Sequence, residues 1–168
     1  VLVAVPGAEP VVGDWRLQYT SDAPAGIPPH VTILFPFVPA ERVAAVEERL
    51  AGIIAVAPAF DLVFARTARF PELLYLDPEP AEPFAALTAA IAAEWPEHPP
   101  YEGVHETVVP HLTVAESGDA ALLDRIAAEV EPQLPIGTRV REASLFVEDE
   151  TGRWHERRRL LLGQSGVA

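Results

Sequence analysis

Short apolar runs alternate along the chain with longer segments in which apolar residues return every three or four positions. The short runs, punctuated by proline and glycine, predict strands over 1–6, 30–36, 59–70, 72–78 and 108–115. The helical spacing predicts helices over 39–54, 82–95 and 119–130, with a shorter one over 10–20 around Trp15, Leu17 and Tyr19. In the 39–54 helix, Val43, Val46, Leu50 and Ile53 make the apolar stripe. Pro71 separates two strands, Pro96 stops a helix, and Gly118 or Asp119 supplies a helix cap. Residues 96–107, PEHPPYEGVHET, read as a polar loop. Two closing strands, about 137–148 and 153–162, flank Asp149-Glu150-Thr151-Gly152, whose turn chemistry predicts a hairpin. Mostly antiparallel strands beside helices make the fold class α+β.

Two of these segments repeat one device. Pro29-His30-Val31-Thr32-Ile33 leads into a loop and an amphipathic helix, and so does Pro110-His111-Leu112-Thr113-Val114. The duplication predicts two lobes related by an approximate two-fold axis within one domain, 1–168, a length that suits a single core.

Strand side chains alternate between faces, so His30 and Thr32 share one face while Val31, Ile33 and Phe35 share the other, which puts Phe35 in the core. His111 and Thr113 likewise stand opposite Leu112 and Val114. A hydroxyl donates to an anion's oxygen, and an imidazole moves protons near neutral pH. Two such pairs facing each other would flank one tetrahedral phosphorus with a base on the attacking side and an acid on the leaving side. Either histidine can fill either role.

Composition narrows the chemistry. All 12 basic residues are arginine, and there is no cysteine or methionine, so a lysyl adenylate, a Schiff base, a P-loop lysine, a thiolate nucleophile and a Cys-ligated zinc are excluded. The net charge of −13 argues against a broad surface for duplex DNA but leaves room for a small phosphorylated ligand held by local donors. The opening VLVAVPG has no basic flank and is too short for a signal peptide or membrane span, and its start on Val1 implies processing or trimming. A soluble, cytoplasmic, monomeric protein with no membrane association is the expectation.

His30-Val31-Thr32-Ile33 and His111-Leu112-Thr113-Val114 resemble the paired His-x-Thr-x signatures of the 2H phosphoesterase superfamily, in particular its bacterial 2′-5′ RNA ligase-like branch of RNA 2′,3′-cyclic phosphodiesterases. The resemblance extends over nearly the whole chain. It implies two pseudo-two-fold-related antiparallel β-sheet lobes with flanking helices and a central active-site cleft. It also implies metal-independent cleavage of a 2′,3′-cyclic phosphate or 2′-linked phosphodiester in a nucleotide or RNA end, with no cofactor. His30 and His111 would be acid and base, and Thr32 and Thr113 would bind phosphate. The alternative is a non-catalytic nucleotide- or phosphate-binding module using the same cleft.

Four further residues are candidates for substrate binding. Tyr101, in the proline-rich loop, either stacks on a base or anchors the loop. Phe37 either borders the cleft or packs in the core. Arg66 and Arg69 either hold phosphate through their planar forks or sit in ion pairs. The cluster RWHERRR at 153–159 reads as charged decoration of an edge strand, because alternation divides its arginines between faces. His98, His105 and His155 are expected at the surface, without metal-ligand spacing.

Overall fold

The computed structural model describes residues 1–104 and 108–164. The expectations for His105 and its neighbours fall outside that range. The described residues form two four-stranded antiparallel sheets with four α-helices packed around them.

The first sheet has the order β2-β1-β7-β8, built from β1 (Leu2–Ala4), β2 (His30–Thr32), β7 (Glu142–Glu148) and β8 (Trp154–Leu161). The second has the order β5-β4-β3-β6, from β3 (Phe60–Phe70), β4 (Leu73–Glu79), β5 (Leu112–Glu116) and β6 (Ile136–Val140). Helix α2 (Val43–Val56) lies on β8 and against α3 (Glu82–Glu94), whereas α1 (Glu9–Tyr19) and α4 (Ala120–Val130) pack on β5. The repeated strand-loop-helix unit therefore stays within one lobe each time: β2 with α2, and β5 with α4.

Both motif strands are outermost in their sheets, and the two edges pack against each other. Burial follows the alternation: Val31 and Ile33 in one lobe and Leu112 and Val114 in the other have almost no exposed surface. Truncating a fully buried leucine such as Leu112 to alanine costs about 2–5 kcal/mol, so these positions hold the motif strands in place. Asp119 caps α4, its Oδ1 accepting from the amides of Ala121 at 2.9 Å and Leu122 at 3.2 Å.

Four expectations need correction. The strand expected over 30–36 ends at Thr32, so alternation stops there; Leu34 takes the core position and Phe35 is 48 % exposed. The strand expected over 108–115 begins only at Leu112, leaving His111 just outside it. In α2 the stripe passes through Ile54, fully buried, with Ile53 only half-buried. The strand expected over 137–148 is two strands in different sheets. β6 pairs with β3 and β7 with β1 and β8, the chain changing sheets at Arg141, whose carbonyl accepts from the Leu162 amide at 2.9 Å. The hairpin at 149–152 does form, closed by the Asp149 amide on the Arg153 carbonyl at 2.8 Å.

Candidate active site

The two histidines are anchored in the same way. His30 Nδ1 lies 2.9 Å from the Pro28 carbonyl, and His111 Nδ1 lies 2.7 Å from the Val109 carbonyl. A carbonyl only accepts, so each Nδ1 carries a proton and each Nε2 is left for proton transfer. Proline at 29 and 110 contributes no amide donor of its own between each histidine and its carbonyl. His30 Nε2 accepts from Thr32 Oγ1 at 3.2 Å.

The rings sit in different surroundings. The His30 side chain is 11 % exposed, and burial, assisted by the Arg16 guanidinium, lowers its pKa from the ordinary 6.5 to about 4. The Pro28 carbonyl and the Asp22 carboxylate, 3.9 Å from Nδ1, act in the opposite direction. His111 is half-buried, edge-on to Phe70 and Tyr75 with ring centroids 5.4 and 5.5 Å away.

A cavity of about 470 Å³ is lined by His30, Thr32 and Thr113, with Asp22, Phe35, Tyr101, Glu148 and Trp154 on its walls. His111 lines an adjoining apolar cavity with Phe70, Pro71, Leu73, Val108 and Val109. Tyr101 belongs to both. Three motif residues thus share one chamber, and the fourth stands on the far side of Tyr101. The Tyr101 hydroxyl is hydrogen-bonded to the Thr32 side chain, while its amide donates to the Phe35 carbonyl at 2.7 Å. Tyr101 and Glu102 have φ values of 50° and 56°, in the left-handed region that costs a side-chain-bearing residue energy, so these contacts hold a strained turn.

The remaining candidates separate. Phe37 packs edge-on to Trp95 at 5.1 Å, half-buried, and lines a neighbouring groove with Phe35 and Trp154. Arg66 pairs with Asp77, and Arg69 with Asp124 at 2.8 Å; neither lines the His30 or the His111 cavity. Three of the four arginines of the basic cluster are also paired: Arg157 with Glu47 and Arg158 with Glu48 of α2, and Arg159 with Glu156. The strand is decorated but presents no basic wall. His155 is exposed against Asp149, whereas His98 is half-buried beneath Phe37.

Sequence reasoning overlooked Arg16, Asp22, Trp154 and Glu148. Arg16 was legible: it stands four residues after Val12 on the inward stripe of α1, where a cation must find buried partners. Among the described residues no cluster of three metal-type side chains forms, and no helix is long and apolar enough to cross a membrane.

Two sheet lobes meeting along their motif-bearing edges define the architecture of a 2H-type phosphoesterase. The family model described as the 2′-5′ RNA ligase superfamily matches residues 4–152, and the chain belongs to that superfamily. No curated protein matches the sequence significantly. Among solved structures, a Thermus thermophilus protein is similar at TM-score 0.62 and 19% identity, covering 98% of this chain and 97% of that one. E. coli LigT complexed with 3′-AMP is similar at TM-score 0.60 and 19% identity, covering 97% and 96%. E. coli LigT complexed with phosphate is similar at TM-score 0.60 and 20% identity, covering 97% and 95%. These likenesses establish the shared fold. Membership of the superfamily supports phosphoester chemistry on nucleotide phosphates.

Proposed function

We propose that the protein is a metal-independent phosphodiesterase that opens a 2′,3′-cyclic phosphate, or cleaves a 2′-linked phosphodiester, in a nucleotide or RNA end. His30 is the general base and His111 the general acid. Burial keeps His30 neutral, its Nδ1–H is committed to Pro28, and its Nε2 lone pair faces the cavity side shared with Thr32. Water gives its proton to His30 Nε2 as its oxygen bonds to phosphorus; the P–O bond to the ribose oxygen breaks, and that oxygen takes a proton from His111 Nε2–H. Charge developing on the non-bridging oxygens is met by the Thr32 and Thr113 hydroxyls. The exposed ring of Phe35 and the half-buried ring of Trp154 on the cavity wall suit a nucleobase. Residence in the cytoplasm and action as a monomer belong to the same proposal.

The observation that carries this reading is the repeated anchoring of both imidazoles to the carbonyl two residues back, which leaves two Nε2 atoms for proton transfer. Incubation with nucleoside 2′,3′-cyclic phosphates in EDTA tests it. Release of a monophosphate supports the enzyme; saturable binding without product would identify a binding module instead.

A further inference from the structure

Arg16 is fully buried in the last turn of α1 and does not line the His30 cavity. Its guanidinium divides its donors between the two lobes. Nη1 donates to the Thr113 carbonyl at 2.7 Å, inside the second motif. Nη2 donates to Asp22 Oδ2 at 2.9 Å and reaches the Ile27 and Pro28 carbonyls at 3.4 Å. The Pro28 carbonyl is also the acceptor that orients His30. One planar group therefore touches the main chain beneath one phosphate-binding threonine and the carbonyl that orients the opposite histidine.

Stability alone does not account for this residue. Burying a guanidinium costs several kcal/mol before pairing, and a well-packed apolar side chain often serves as well or better. Its Nε has no partner among the described residues, so even the pairing is incomplete. What an apolar side chain would lack is a fixed fork with donors pointing into both lobes.

We infer that Arg16 is a positioning residue that registers the first motif against the second, setting His30 and Thr113 about the same phosphorus. Asp22 is its partner, holding Nη2 toward the segment that precedes β2. The inference rests on the two-histidine reaction proposed above. A shift of about 1 Å in a reacting group costs on the order of 100-fold in rate, so such a clasp acts on turnover without touching substrate.

Arg16→Lys keeps the charge but removes the fork. With a nucleoside 2′,3′-cyclic phosphate as probe, kcat should fall about 10–100-fold while KM moves less than about threefold. In 15N-labelled protein at neutral pH, long-range ring correlations should show His30 passing from a pure Nδ1–H form to a mixture, with His111 unchanged. A kcat within about twofold of wild type, or an unchanged His30 signature, overturns the inference. If Arg16→Lys does not fold, Asp22→Asn replaces it, read by the His30 signature alone: a mixture supports the clasp, and a pure Nδ1–H form overturns it. Failure of the wild type to turn over the probe would remove the proposed reaction while leaving the ring measurement to decide Arg16.

Discussion

His30 Nε2 and Thr32 Oγ1 stand 3.2 Å apart, so the imidazole and the hydroxyl of the first motif are hydrogen-bonded to each other in the free protein. In the proposed mechanism, a phosphate entering the chamber draws the threonine hydroxyl away and frees the Nε2 lone pair as substrate arrives. Replacing either histidine by alanine should lower kcat about 100- to 10,000-fold, the range for loss of a general acid or base. Thr32→Val and Thr113→Val delete a hydrogen bond to a charged group and should cost about 10- to 100-fold in kcat/KM. Steady-state kinetics in EDTA measures all four; wild-type turnover in either histidine variant would remove the paired acid–base scheme.

In the proposed mechanism, the charge state of His30 sets one limb of the pH profile. Its folded pKa is about 4, so the imidazole is already neutral at pH 5 and is protonated only as pH falls through that value. The acid limb of kcat/KM, which reports the free enzyme, should therefore lie near pH 4 rather than near the ordinary histidine value of about 6.5. Asp22→Asn removes the negative charge that partly offsets burial and the Arg16 guanidinium, and should move this limb further down. A limb at the ordinary value would show that His30 is not the base.

The same group links stability to pH. Between about pH 4 and 6.5 the unfolded chain carries a proton on this imidazole that the folded chain does not, so unfolding takes up a proton. Stability consequently rises with pH across that window and is fully gained above the unfolded value. Urea titrations at several pH values should show the rise, and His30→Gln should flatten it by about one proton's worth of slope.

Tyr101 closes the chamber on the side facing His111, with its hydroxyl on Thr32. Tyr101→Phe keeps the ring but removes that bond, leaving kcat/KM within about threefold; Tyr101→Ala removes the wall and should cost about tenfold or more, mainly in KM. Equal, small effects in both would show that the ring serves only to anchor the loop.

How much of this was legible follows from which interactions are local. Alternation over three residues was enough to put His30 with Thr32 and Val31 opposite, because a strand's faces are set by its own backbone. Phe35 was misplaced because alternation was carried past the end of the strand, where prolines at 36 and 39 remove ladder donors. The sheet change at Arg141 left a readable trace: the buried apolar residues run 136 and 140, then 143 and 145, a slip of one in the period of two. The ion pairs of Arg66 and Arg69 and the reach of Arg16 to Thr113 depend on partners distant in sequence, which no local pattern encodes.

The chamber's own charge predicts which phosphates it keeps. Among its described lining residues are two carboxylates, Asp22, paired with Arg16 behind the wall, and Glu148, against the hydroxyls of Ser21, Thr32, Tyr101 and Thr113 and the His30 ring, and no arginine. A phosphodiester carries one negative charge, whereas a phosphomonoester approaches two above its second pKa of about 6. With His30 neutral, the second charge meets carboxylates at no gain, so the diester substrate should bind better than its monoester product at pH 8. Product inhibition should therefore be weak at pH 8 and strengthen several-fold as pH falls through about 6. Glu148→Gln removes one repelling charge and should tighten inhibition by the nucleoside monophosphate about three- to tenfold at pH 8, with little change toward a cyclic diester. Inhibition constants for both ligands, measured at pH 5.5 and 8 in wild type and variant, check this. Monoester inhibition that is tight at pH 8 and indifferent to Glu148→Gln would mean that a cation outside this set of wall residues holds the phosphate.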